Sequence, residues 1–200
     1  MRYPALALLE YESIADGIAA GDRMVKRAPI SLLKCGTVHP GRYLIMLGGS
    51  VASVEESFRE GQLVQGLLDA VFLPDVDEQV HDAALGERRS LESEALGILE
   101  TSSAPSLLEA TEAARKGCRV DIAEIRLSDD LGGKAFALLD ASLPEVASAL
   151  ELAEARLGEK LLMKQLLPRL DEDLRRMLDK GTSFAGCPLH EPGGAENVSG

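Results

Sequence analysis

The chain predicts an α+β fold built twice in tandem, each copy an antiparallel sheet with helices packed on it. Two observations carry this. Four blocks of the first hundred residues recur in order in the second hundred, and each copy shows the same alternation of short apolar strands and amphipathic helices. ALALLE (5–10) recurs as ALGILE (95–100), and DRMVK (22–26) as EAARK (112–116), both offset by 90. PGRYLIMLGGSVASV (40–54) lies over GGKAFALLDASLPEV (132–146), offset by 92, and LPDVDEQV (73–80) over LPRLDEDL (167–174), offset by 94. A period near 90 is too long for a solenoid repeat and suits a duplicated folding unit.

The elements follow in order. YPALALLEY reads as a short strand. IADGIAAGDRMVKRA places Ile14, Ile18, Met24 and Val25 at helical spacing, and Pro29 ends it. ISLLKCGTV and RYLIMLGG read as two strands joined by a His39-Pro40-Gly41 turn. Gly48-Gly49 close the second strand, and Ser50 is placed to cap the helix VASVEESFREG. In the second copy, Ser142 to Glu145 spells a capping box with Pro144 in the first turn. LLDAVFLP and LLMKQLLP are strands stopped by proline, each followed by a short acidic helix. The unit is therefore β-α-β-β-α-β plus a terminal helix. The polar stretch 81–95 is expected to link the copies with His81 in solvent. The Gly/Pro/Ser-rich tail 181–200 is expected to be disordered. These expectations set a first domain at 3–86 and a second at 94–180.

Composition narrows the function classes. The 33 acidic against 21 basic residues leave a net charge of −12, which disfavours nucleic acid and anionic membrane surfaces. No apolar run approaches the ~18 residues of a spanning helix, and the N-terminus lacks the small-residue cleavage site of a secretory signal. Three scattered cysteines, Cys35, Cys118 and Cys187, fit a reducing compartment better than a disulfide framework. G-x-S-x-G, H-E-x-x-H and P-loop motifs are absent, so no enzymatic activity is expected. The C-x3-H pair Cys35/His39 and the C-x2-H pair Cys187/His190 each lack a second half elsewhere, and Cys118 reads as a small, partly buried hydrophobe.

The string LLE…IADGIAAGDRMVKRAPISLL…HPGRYLIMLGGSVASVEES resembles the bacterial microcompartment shell domain. Its duplication resembles the tandem-domain class that assembles as trimers, and within that class the propanediol-utilisation shell protein T group. The resemblance spans about residues 3–178. It implies two ferredoxin-like-type shell domains per chain, three chains making a pseudohexameric disc, and discs tiling with other shell proteins, hexamers and pentamers, around enzymes in the cytoplasm. It implies an axial pore for small metabolites lined by His39, Pro40, Gly41 and Arg42 of the first copy and by Asp130, Leu131, Gly132 and Gly133 of the second. Lys26 and Lys116 would lie on the tiling edge. In the T group a cysteine of this turn holds an iron–sulfur cluster on the axis. His39 occupies that position here, so no cluster is expected. A ring of three His39 imidazoles could hold zinc or a similar ion, or simply line a polar aperture. Arg42 reads either as a lure for anionic metabolites or as a partner of one of the many carboxylates. Asp129 and Asp130 read either as an acidic ring or as turn formers in water. The alternatives to a shell subunit are a trimeric metabolite- or metal-binding protein and an electron-conducting pore protein.

Overall fold

The computed structural model describes residues 2–188. The first copy comprises β1 (Ala5–Tyr11), α1 (Ile14–Arg27), β2 (Leu32–Val38), β3 (Arg42–Gly49), α2 (Val51–Gln62), β4 (Leu67–Leu73) and α3 (Glu78–Ala84). The second comprises β5 (Ala95–Thr101), α4 (Ala104–Gly117), β6 (Asp121–Leu127), β7 (Ala135–Ala141), α5 (Leu143–Leu157), β8 (Leu161–Leu167) and α6 (Glu172–Lys180). Both copies build a four-stranded antiparallel sheet of identical order, β2-β3-β1-β4 and β6-β7-β5-β8. The tandem α+β reading is borne out.

Serine and aspartate start the helices. Ser13, Ser50 and Ser103 accept from backbone N–H groups of the first turns of α1, α2 and α4, and Asp77 and Asp171 do so for α3 and α6. Ser142 occupies the N-cap of α5, but the expected capping box does not form. Glu145 Oε2 accepts from the Arg119 backbone N–H at 2.9 Å instead, tying α5 to the loop after α4.

The central strands of the first sheet, β1 and β3, are covered on both faces. Ala5, Ala7, Leu9, Ile45 and Leu47 pack against Ala20, Met24 and Val54 of α1 and α2. Leu6, Leu8, Met46, Val71 and Leu73 on the opposite face join Val80 of α3, Leu107 and Leu108 of α4 and Ile122 of β6 in one apolar cluster. The two copies therefore share a core. Gly17 shows how the duplicated units were repacked. A Cβ there would lie 2.5 Å from Tyr43 Cδ1. The corresponding pair in the second copy is Leu107 over Ala135, both fully buried, so bulk has moved from strand to helix.

The expectation for His81 is corrected. It belongs to α3, is only 2% exposed, and does not sit in a solvated linker. α3 packs against β6, so a segment that reads as polar is covered by the second copy. His81 Nε2 accepts from the Tyr3 backbone N–H at 3.1 Å, and its Nδ1 lies 3.0 Å from Asp82 Oδ1. Asp82 in turn binds Arg2, whose guanidinium holds its carboxyl down at about 2. The cluster pins the N-terminal segment to α3. Of the tail segment 181–200, only 181–188 is described; Thr182 Oγ1 donates to Glu124 Oε1 at 2.9 Å. The remainder, with His190, lies outside the described residues.

Candidate functional site

The two β-hairpin turns meet at one end of the molecule. The first runs through His39, Pro40 and Gly41, with a cis His39–Pro40 peptide, Gly41 at φ +101° and the Gly41 N–H donating to Val38 O at 2.9 Å. The second spans Ser128 to Lys134 and uses left-handed backbone at Ser128, Asp130, Gly132 and Gly133. Ser128 Oγ is buried with no hydrogen-bond partner among the described residues, next to this strained turn. His39 Nδ1 approaches Asp130 Oδ1 at 3.5 Å, and both side chains remain largely in solvent. Gly133 has φ +86°, and a Cβ there would lie 3.0 Å from Pro40 Cδ and 3.3 Å from Arg42 Nη1. His39, Pro40, Arg42, Asp130 and Gly133 are thus brought together. Leu131 and Gly132 complete the second turn, Leu131 half-buried and Gly132 exposed.

Arg42 is turned inward. Its Nη1 donates to Glu10 Oε1 at 2.8 Å and to the Ser102 carbonyl at 3.4 Å. Glu10 is fully buried, and its Oε2 accepts from the Ala104 N–H at the start of α4. The second copy repeats the pair as Lys134–Glu100 at 3.2 Å, in a more exposed setting. Of the two readings of Arg42, the geometry supports the carboxylate partner. A second cross-copy latch, which the sequence reading missed, centres on Asp69 of β4. It accepts from Ser103 Oγ, from Ser106 N–H and Oγ, and from Lys160. These donors overcome burial and lower the carboxyl below its ordinary range. No spacing in the chain advertises either latch, because the partners lie in different copies.

The donor set does not suit an iron–sulfur cluster. No thiol occupies either turn. Cys35 lies in β2 and hydrogen-bonds the Tyr43 phenol, which pushes that phenol up. Cys118 is half-buried at the end of α4, where burial raises its thiol. Among the described residues no three His, Cys, Asp or Glu side chains of one chain cluster as a metal site.

Lys26 and Lys116 differ. Lys26 is exposed on α1 and, among the described residues, pairs only with Asp22, one turn back, at 2.6 Å. Lys116 is bound to Glu112 at 2.7 Å and to the Asp75 carbonyl of the first copy, and Glu112 raises its ammonium.

A family model described as the BMC domain matches twice, at residues 5–76 and 95–170. The chain is 33% identical to the bacterial microcompartment shell protein PduT of Citrobacter freundii over 88% of its own length and 98% of the relative's. It is 29% identical to the carboxysome assembly protein CcmO of Synechocystis, covering 89% of this chain and 65% of that protein. A crystal structure of a microcompartment protein from Desulfitobacterium hafniense superposes with a TM-score of 0.76 at 35% identity, covering 86% of this chain and 98% of that one. The fused permuted hexameric shell protein MSM0275 shares the fold, with a TM-score of 0.54 at 19% identity over 78% of this chain and 84% of its own. Two matched domains, a shared sheet order and identity over nearly the full length of a relative make this chain a tandem-domain member of the BMC family of microcompartment shell proteins.

Proposed function

We propose that the chain is a non-enzymatic structural subunit of a microcompartment shell, working as a closed head-to-tail ring of three whose hairpin turns line an axial pore for small molecules. One observation carries the reading. Within the chain, the first copy offers β4 and α3 to α4 and β6 of the second. Among the described residues, the second copy's matching elements, β8 and α6, and the first copy's α1 and β2 pack within their own copies and leave apolar side chains exposed on their outer faces. Their apolar side chains are Ile14, Ile18 and Val25 of α1, Leu33 of β2, Met163 of β8 and Leu174 of α6. These are six of the eleven exposed large hydrophobics among the described residues. Of their six counterparts, Ala104, Leu108, Ile122 and Val80 are fully buried, and Arg115 and Asp69 bond across to Asp77 and Lys160 of the other copy. A repeat that satisfies half its surfaces internally must satisfy the other half between molecules, and a heterologous contact of this kind makes a ring if the rotation closes.

In that ring three His39, each with its Asp130, face a common axis with Pro40, Gly41, Leu131, Gly132 and Gly133. Lys26 points outward as the tiling lysine toward other shell proteins. Lys116, engaged by Glu112 and Asp75, is the weaker edge group. We read the His39 ring as solvated imidazoles; elemental analysis showing one tightly held zinc per three chains would replace that reading with a metal site. Sedimentation tests the ring. Ile18→Glu with Met163→Glu should convert trimers to monomers while leaving the circular dichroism intact. A wild-type monomer at micromolar concentration would overturn the proposal. Electron microscopy tests the tiling: wild-type protein should form extended sheets and Lys26→Ala should not.

A further inference from the structure

We propose that the cleft between β2 and the turn-side half of β6 is a binding site for small amphipathic carboxylates. It encloses about 250 Å³, and its walls come from both copies of one chain. That falls below the ~300 Å³ at which drug-sized sites begin and suits a smaller ligand. Val38, Leu44 and Met46 provide an apolar wall on the first sheet, and Ile125 and Leu127 provide one on the second. Alternation along β2 sends Lys34 and Gly36 to the same face as Val38. A Cβ on Gly36 would meet nothing within 4 Å, so the wall there is open.

Charge and backbone choose the headgroup. In a chain of net charge −12, Lys34 has no ion-pair partner among the described residues. Arg126, also on the lining, spends its guanidinium on the Asp129 carbonyl at 3.1 Å and on the Phe136 ring, with no carboxylate partner among the described residues. Against these two uncompensated cations stands one acid, Asp129. β2 and β6 are the outermost strands of their sheets, so backbone N–H groups on their outer edges point away from the sheet ladder. Gln79 and Arg89 occupy β6 at Ile122 and Ala123, leaving 125–127 uncovered. An apolar body fits between the walls, and a carboxylate at the rim meets Lys34 and the strand-edge amides. Both walls belong to one chain, and Leu33, the β2 side chain given to the ring contact, alternates to the face opposite Lys34, Gly36 and Val38, so the contact and the cleft use different faces of β2.

Calorimetric titration of the full chain with octanoate is the test. Binding is expected near or below about 1 mM. Lys34→Ala should weaken it about tenfold, Gly36→Leu should abolish it by filling the opening, and neutral octanamide should bind at least fivefold more weakly than octanoate. Circular dichroism establishes that each variant is folded; should Gly36→Leu fail to fold, Lys34→Ala and the amide carry the test. No binding at about 5 mM octanoate, equal binding of octanamide, or unchanged affinity in Lys34→Ala would overturn the proposal.

Discussion

His39 Nδ1 lies 3.5 Å from Asp130 Oδ1, joining the tips of two hairpins that come from different copies of the repeat. The contact itself is exposed and contributes little stability. What holds the tips together is the backbone beneath it, and above all Gly133, whose missing side chain leaves room for Pro40 and Arg42.

Gly133→Ala should therefore be costlier than Gly132→Ala. Both positions have positive φ, so each pays about 1 kcal/mol for a left-handed alanine. Only at 133 does the new Cβ press on Pro40 and Arg42, while at 132 nothing lies within 4 Å. The expected excess for Gly133→Ala is about 1–2 kcal/mol, read from urea midpoints. Equal costs would mean that the turns separate freely.

Arg42 and Lys134 occupy equivalent places, yet their removal should differ sharply. Arg42→Ala leaves Glu10 buried without a cation, facing only the Ala104 N–H, and should cost about 3–5 kcal/mol. Lys134→Ala leaves a partly exposed Glu100 that water can solvate, and should cost under about 1 kcal/mol. Urea denaturation of the two variants side by side checks the contrast. Arg42→Ala with Glu10→Gln should recover part of the loss, since the buried charge goes with its partner.

Much of this fold is legible in the sequence, because duplication tests every assignment twice. The strand ALALLE is ambiguous alone, but its recurrence 90 residues later in the same flanking pattern is not. The turns and the cap at Ser50 follow from local chemistry and appear where that chemistry puts them, whereas Ser142 holds the N-cap position of its helix without the side-chain hydrogen bond that its sequence predicts. The seam between copies is a different matter. His81 stands among Asp82, Glu87, Arg88 and Arg89 and reads as solvated, yet α3 is covered by the second copy. Glu10, Asp69 and Ser103 read as ordinary strand and cap residues. Their cross-copy bonds depend on how one domain is set against the other, which no local period encodes.

The two copies solve one packing problem differently, which permits a direct swap. Gly17→Leu alone should clash with Tyr43, and Tyr43→Ala alone should leave a cavity costing about 3 kcal/mol. The double variant recreates the Leu107–Ala135 arrangement of the second copy. It should be more stable than the sum of the single losses by at least about 1–2 kcal/mol in a double-mutant cycle. Additive losses would show that the helix–sheet spacings of the two copies are not equivalent.

Acid should release the N-terminal clamp. Asp82 binds Arg2 through Nη2 at 2.5 Å and Nε at 3.1 Å, and the paired guanidinium holds its carboxyl at about 2 rather than 3.8. The folded protein therefore favours the carboxylate more than the unfolded chain does. The stability this contributes is fully present above about pH 4 and is lost as the pH falls through 2. Because Arg2 is about half exposed, water screens the pair and its contribution at neutral pH is small. Arg2→Ala should be slightly less stable than the parent at pH 7, and the gap should close between pH 4 and 2 in urea denaturation at each pH. A gap that stays constant across that window would assign the role of Arg2 to packing of its aliphatic stem rather than to the ion pair.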